Sequence, residues 1–268
     1  MISPLRGSQL KVERAKRHLA EVEREMIAFF DRRPFAKYTE VEPDTGDRLT
    51  RIRIREPVPV ELGPLVGDVI HNLRSAFDLL AADVVVAGGG TVSNSTEFPV
   101  SYAEDHFRKK GIHKVKGASP AAIALIERHQ PYRDGNEPLL QLHRLDILDK
   151  HQSLILVGAT NRQVKMNVTL TIPDRAQPVE FPTLTLNAAE PTFPLEQGSI
   201  IFRELAGAWD QDARNHSLRY QFPYEVAFGV EQVAAGQPVL PALDRYLQFT
   251  EATIETFRRE LFPDLPQP

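Results

Sequence analysis

The chain has no cysteine among its 268 residues. Disulfides, thiolate nucleophiles and cysteine-ligated metal sites are therefore excluded. It also lacks any run approaching the about 20 apolar residues that a membrane span needs. The first residues, MISPLRGSQLKVERAKRHL, show no apolar core of a secretory signal peptide. We therefore expect a cytoplasmic protein without a membrane partner.

Charge of one sign is not in excess, because 32 Lys and Arg residues stand against 36 Asp and Glu residues. The net charge of -4 does not indicate a nucleic-acid partner, so any anion-binding site has to be local. The hydrophobic fraction of 42% is that of an ordinary globular chain. We expect a single domain over residues 1–268, long enough for a substantial core.

A third absence is local, since no Lys, Glu or Gln occurs between Leu62 and Gly90. Helical periodicity over Leu62–Val86 places the apolar residues on one broad arc. The opposite arc carries Asp68, His71, Asn72, Arg74, Ser75 and Asp78. Solvated helix faces usually carry Lys, Glu and Gln, which are good helix formers. The composition therefore predicts that this polar arc is covered and that its groups are paired with one another or with a ligand.

A second polar stripe lies on the helix predicted from Glu137 to Gln152. Its leucines lie almost all round the helix, which predicts a central, buried position. Even so, four polar residues fall within about a third of the circumference: His143, Asp146, Asp149 and Lys150. We expect this stripe to face the polar arc of Leu62–Val86, so that the two make one site.

The periodic segments predict an α+β protein, a helical bundle with an N-terminal β-hairpin and a C-terminal-half antiparallel β segment. The helical part comprises residues 1–158 and 238–264, and the β-rich segment residues 163–230. Narrow apolar seams mark the first helix, Ser8–Arg32, and the last helix, Leu240–Leu261. Such seams pack together either within one chain or between two.

Two stretches are rich in positive charge. The second hairpin strand places Arg51, Arg53 and Arg55 on one face, for phosphate binding or for pairing with Glu40 and Glu42. The densest cluster, here called the basic loop, consists of Arg108, Lys109, Lys110, His113, Lys114 and Lys116. It is either a nucleic-acid backbone contact or a solvated loop. We predict substrate-binding roles for Asn72, Lys109, Lys110, Lys114 and Lys150.

The segments GDVIHNLRSAFDLLA and LDILDKH carry a resemblance to a family of uncharacterised bacterial hypothetical proteins with GD-HNLRSA-D and DKH segments. It covers most of the chain and implies no particular activity. A weaker resemblance is to HEPN-type ribonucleases, which place an Arg and a His on one helix and act on RNA without a metal, usually as dimers. Arg74 matches, but Leu79 stands where that spacing needs His, and His71 precedes the Arg instead.

The weaker resemblance implies a divergent HEPN-like protein that interacts with RNA or a nucleotide, with or without cleavage, and that forms a homodimer. His71 then acts as acid or base and Arg74 binds phosphate. The full set of predicted catalytic residues is His71, Arg74, Asp78, Asp149 and His151. Apart from Arg74, these residues also suit a metal-free hydrolase or transferase.

Three other interpretations stay open. A metal-dependent hydrolase would use His71 and Asp78 with His143, Asp146, Asp149 or His151, although no H-E-x-x-H signature is present. A scaffold protein would dimerise through its N- and C-terminal helices. A buried structural network of Asp, His and Arg would account for the same residues without chemistry. The sequence specifies no cofactor.

Overall fold

The structure is a computed structural model, described here for residues 3–160, 163–170, 177–187, 192–207, 216–230 and 232–265. Its helices are α1 (Arg6–Asp31), α2 (Leu62–Ala87), α3 (Glu104–Lys109), α4 (Pro120–Arg128), α5 (Glu137–His151) and α6 (Val239–Leu261), with a short 3-10 helix at Gly111–Val115. Its strands are β1 (Phe35–Val41), β2 (Arg48–Ile54), β3 (Leu156–Thr160), β4 (Gln163–Leu170), β5 (Val179–Glu180), β6 (Leu184–Asn187), β7 (Ile200–Glu204), β8 (His216–Gln221) and β9 (Tyr224–Phe228). No helix in these ranges combines the length and apolarity that crossing a bilayer requires.

Helix α2 is the centre of the helical part, since it packs against α1, α5 and α6. Its bounds agree with the predicted helix to within one residue. Its apolar arc is fully buried at Ile70, Leu73 and Phe77. Burial of each such side chain contributes about 1.5–3 kcal/mol. The position of α2 is therefore set by its apolar arc, and this fixes where its polar arc points.

The other helices also follow their sequence signals. Ser119 caps α4 by accepting a hydrogen bond from the Ala122 amide, and Asn136 caps α5 through the amide of Leu139. The apolar seams of α1 and α6 meet each other within the chain, where Lys16 and Glu251 form an ion pair of 2.6 Å. The surfaces expected to support a homodimer are thus used inside one chain, and the homodimer stays a prediction.

The strands confirm the α+β class but not a single C-terminal sheet. The hairpin β1–β2 is antiparallel, with Phe35 opposite Ile54, and it gains β7 as a third strand. Strand β9 pairs with β3, while β4 pairs with β5, β6 and β8. The predicted β-rich segment, residues 163–230, does not form a single sheet of its own. Its strands instead divide among three sheets, because β7 and β9 find partners earlier in the chain.

The arginine face of β2 has mixed contacts. Arg51 pairs with Glu40 across the hairpin and donates a second hydrogen bond to the Gly198 carbonyl. Arg53 lies over the Tyr38 ring, 5.3 Å from its centroid. Glu42 pairs with Arg203 of β7 instead of with an arginine of β2. Cross-strand pairing therefore accounts for Arg51, whereas Arg53 and Arg55 have no carboxylate partner among the described residues.

Candidate functional site

The polar arcs of α2 and α5 face each other, as the sequence predicts. We call the polar residues between these helices the α2/α5 seam: Asp68, His71, Arg74, Asp78, His143, Asp146, Asp149 and Lys150. Two glycines of α2 allow the close approach. A Cβ atom on Gly67 would lie 2.5 Å from Cγ of Asp149, and one on Gly63 would lie 2.7 Å from the Leu154 carbonyl oxygen. Only glycine fits at these positions without displacing its neighbours.

One end of the seam holds an Asp–His dyad. The Asp146 side chain is 3% exposed, and Oδ1 lies 3.0 Å from Nδ1 of His71. Its other oxygen accepts a hydrogen bond of 2.6 Å from Nζ of Lys150. An ionised carboxylate can only accept, so the proton of the neutral imidazole lies on Nδ1 and Nε2 carries the lone pair.

His71 combines a buried partner with an exposed side chain. The His71 side chain is 46% exposed, although its Nδ1 reaches a buried carboxylate. Its Nε2 lies 3.4 Å from Oγ of Ser75, one turn further along α2. A buried carboxylate that orients an imidazole, with the second nitrogen free to take a proton, is a recurrent arrangement of general bases. His71 is therefore both oriented by a buried carboxylate and accessible from solvent.

Arg74 is buried, and its guanidinium is bonded within the protein. Its side chain is 3% exposed, and each guanidinium nitrogen has a protein partner. Nε donates to Nδ1 of His143 at 3.1 Å, Nη1 to Asp78 at 2.6 Å and Nη2 to the Phe98 carbonyl at 3.0 Å. The guanidinium therefore does not face solvent, where a phosphate would bind. We assign Arg74 to joining α2, α5 and the segment after α2.

Asp78 and His143 complete this structural end of the seam. Asp78 accepts from Arg74 and from the Phe98 amide at 3.0 Å. Burial raises the pKa of the Asp78 carboxyl, against the opposing charge of Arg74. Burial, followed by the positive charge of Arg74, lowers the pKa of His143 to about 4. A neutral His143 is what its acceptor role toward Arg74 requires.

The other predicted site residues on α5 and α2 differ in their burial and in their partners. Asp149 lies on the α2 backbone at Gly67, and burial together with the charges of Asp146 and Asp68 raises the pKa of its carboxyl. Lys150 is held by Asp146. His151 ends α5 on the surface and has no hydrogen-bond partner among the described residues. Asn72 is buried and donates to the Asp68 carbonyl of its own helix at 2.8 Å, so its amide is not directed at a substrate.

The basic loop lies apart from the dyad, and several of its cations are already paired. Arg108 pairs with Glu104 at 2.7 Å and Lys109 with Asp105 at 2.9 Å. Lys114 pairs with Glu97, which lies 3.9 Å from Arg74, so the loop meets the seam only at its structural end. Within the described ranges, Lys110 and Lys116 are exposed and have no carboxylate partner.

The metal interpretation finds no ligand set in the described part of the chain, where no three His, Asp or Glu side chains are grouped to hold an ion. His71 and Asp78 are two helical turns apart, about 10 Å along the axis of α2. Asp78 is also occupied by Arg74 and Phe98. The two residues therefore belong to opposite ends of the seam.

The pairing of Asp146 with His71 could not be predicted from the sequence, which offers Asp146 only as a possible metal ligand. Its spacing to Lys150 indicates a pair along one helix, but its bond to His71 depends on the register between α2 and α5.

No protein-family model matches the chain. No curated protein matches it, and no solved structure does.

Proposed function

We propose that the chain is an acid–base enzyme, a hydrolase or a transferase, in which His71 moves the proton and Asp146 orients the imidazole. One observation carries this proposal. The buried carboxylate of Asp146 lies 3.0 Å from Nδ1 of His71, while nearly half of the His71 side chain is exposed. Among the described residues, Nε2 of His71 has only the Ser75 hydroxyl as a partner, at the long distance of 3.4 Å, so this nitrogen can exchange that contact for a substrate.

The chemistry follows from the tautomer. Nε2 of His71 accepts the proton of a hydroxyl, an amine or a water as that group attacks, and Asp146 stabilises the imidazolium that forms. The same proton is then available for the leaving group. Burial and the charge of Asp146 raise the pKa of the Asp149 carboxyl, which lies on the same stripe of α5 as Asp146.

The charges around the dyad restrict the substrate. Asp68, Asp146 and Asp149 are acidic, and Lys150 is the cation bonded to this end of the seam. A phosphate next to His71 would be repelled by the surplus carboxylate charge. The reacting group is therefore expected to be neutral or cationic.

The test uses chromogenic esters and amides with neutral or cationic leaving groups. We expect His71→Ala to lower kcat/KM by about 10²–10⁴-fold, which is the usual contribution of a general base. Added imidazole should restore part of the activity, because the exposed site leaves room for it. His151→Ala is the matched control and should retain full activity. Turnover that survives His71→Ala, or no turnover of any substrate by the wild type, would overturn the proposal.

A second candidate is the divergent HEPN-like protein that interacts with RNA or a nucleotide. The observation in its favour is that Lys110 and Lys116 are exposed and have no carboxylate partner among the described residues. Such lysines can neutralise backbone phosphates, and binding would then weaken steeply with salt. The double variant Lys110→Glu/Lys116→Glu should abolish RNA binding, while Lys109→Glu, at a cation already paired with Asp105, should weaken it less. Absence of salt-dependent RNA binding by the wild type would remove this candidate.

A further inference from the structure

A groove of about 760 Å³ lies between β1 and the turn that joins β8 to β9. We call it the aromatic groove; it is lined mainly by Arg33, Phe35, Lys37, Gln221, Phe222 and Tyr224. The lining combines three aromatic rings, two cations and an amide, and none of the described residues that form it is acidic. In a chain with a net charge of -4, this is a local surface suited to a planar ligand that carries negative charge.

The aromatic wall is built on the hairpin core. Phe35 is buried and packs against Tyr224, with ring centroids 5.2 Å apart. Phe222 is half-buried, and Nζ of Lys37 lies 5.3 Å from its ring centroid. Aromatic rings that are held by packing on one face and are partly exposed on the other form a stacking surface. Little binding free energy is then spent on rearranging the protein when a base binds.

Arg33 lines the groove and has a costly backbone conformation. It follows the last turn of α1 with a φ of 55°, and its amide donates to the Phe30 carbonyl at 2.9 Å. Helix ends with this geometry usually have glycine, which adopts a positive φ without strain. Strain retained at a surface arginine points to a use for its side chain.

The neighbouring arginine shows that pairing is available nearby. Arg32 forms an ion pair of 2.6 Å with Glu56. Arg33, the next residue, has no carboxylate within ion-pair distance among the described residues. Its guanidinium is thus a cation beside an aromatic wall, with donors left for an external anion.

We propose that the aromatic groove binds a nucleotide, whose base packs against Phe222 and Tyr224 and whose phosphate is held by Arg33. Aromatic stacking recognises the flat base, and the guanidinium recognises the phosphate oxygens. The amide of Gln221 can both donate to and accept from a base edge. The groove is lined by none of the residues of the α2/α5 seam or the basic loop, so this site does not depend on either candidate function.

The test is a calorimetric titration of the full chain with AMP, adenosine and inorganic phosphate. We expect AMP to bind about tenfold more tightly than either fragment, because only AMP engages both the wall and Arg33. Arg33→Gly should reduce AMP affinity to that of adenosine and leave adenosine binding unchanged. The unfolding temperature of Arg33→Gly should equal or exceed that of the wild type, since glycine adopts the positive φ without strain. Phe222→Leu should weaken both AMP and adenosine.

Arg55→Ser is the matched control, because it removes one exposed arginine of the same hairpin that is not part of the groove lining. It should leave AMP affinity unchanged. The proposal is overturned if AMP shows no binding, if adenosine binds as tightly as AMP, or if Arg55→Ser weakens AMP as much as Arg33→Gly does. Absence of AMP binding would not change the outcome expected in the His71 assay, and absence of His71-dependent turnover would not change the AMP binding expected here.

Discussion

The folded state should lose stability on mild acidification because of His143. This side chain is half-buried, accepts a hydrogen bond from Arg74, and has a pKa lowered to about 4 by burial and by that positive charge. In the unfolded chain its pKa returns to 6.5. Between these values the unfolded state binds a proton that the folded state does not, so the free energy of unfolding falls as pH falls.

The size of the effect follows from the two pKa values. Each tenfold difference in proton affinity is worth about 1.4 kcal/mol, so 6.5 against about 4 corresponds to about 3 kcal/mol. Partial exposure of the ring reduces this to about 2 kcal/mol. The contribution is complete above pH 6.5 and is lost as the pH falls toward about 4.

The variant that isolates this effect is His143→Gln, whose amide oxygen can still accept from Arg74 but does not titrate. Urea unfolding of both proteins at steps from pH 8 to pH 4 gives the difference curve. Asp78 and Asp149 have raised pKa values, so their contributions to the free energy of unfolding increase on acidification. Both residues are present in the two proteins, and these contributions therefore largely cancel in the difference curve. We expect a difference that grows by about 2 kcal/mol from pH 7 to pH 4. Parallel curves would refute a neutral, buried acceptor role for His143.

Two further predictions concern the construction of the seam. Gly67→Ala should destabilise the fold by about 1–3 kcal/mol, because the new Cβ would overlap the Asp149 carboxyl, and Asp149→Ala should relieve much of that cost. Gly7→Ala, at a helical site where the Cβ meets Leu79 at an ordinary 3.4 Å, is the matched control and should be neutral or stabilising in thermal unfolding. Arg74→Met should cost about 3–5 kcal/mol in urea unfolding, because it leaves the Asp78 carboxyl and the Phe98 carbonyl without their donor. A loss below about 1 kcal/mol would contradict the structural role of Arg74.

The helices and the facing of the two polar arcs could be predicted from the sequence because both are local patterns. The period of α2 fixes which side is apolar, and the missing Lys, Glu and Gln residues mark its other side as covered. That inference holds for Asn72 and Arg74, which are buried, and fails for Asp68 and His71, which are exposed. The difference lies in where α5 crosses α2, and one helix sequence does not contain that information.

The hydrogen-bond partners within the seam could not be predicted from the sequence for the same reason. Arg74 and His71 are three residues apart and looked like one functional pair. The register of α5 places His143 against Arg74 and Asp146 against His71, so the two residues have different partners. Sheet assignment failed similarly, because β7 and β9 pair with strands more than 60 residues earlier. Long-range pairing leaves little trace in a local alternation pattern.

The most direct test of the acid–base site is the tautomer of neutral His71, measured by nitrogen-15 NMR on imidazole-labelled protein. The dyad predicts that neutral His71 carries its proton on Nδ1 and has an unprotonated Nε2, and that Asp146→Asn disturbs this state while His151→Ala does not. A His71 ring protonated on Nε2 in the wild type would contradict the account, because it would have no lone pair facing the substrate.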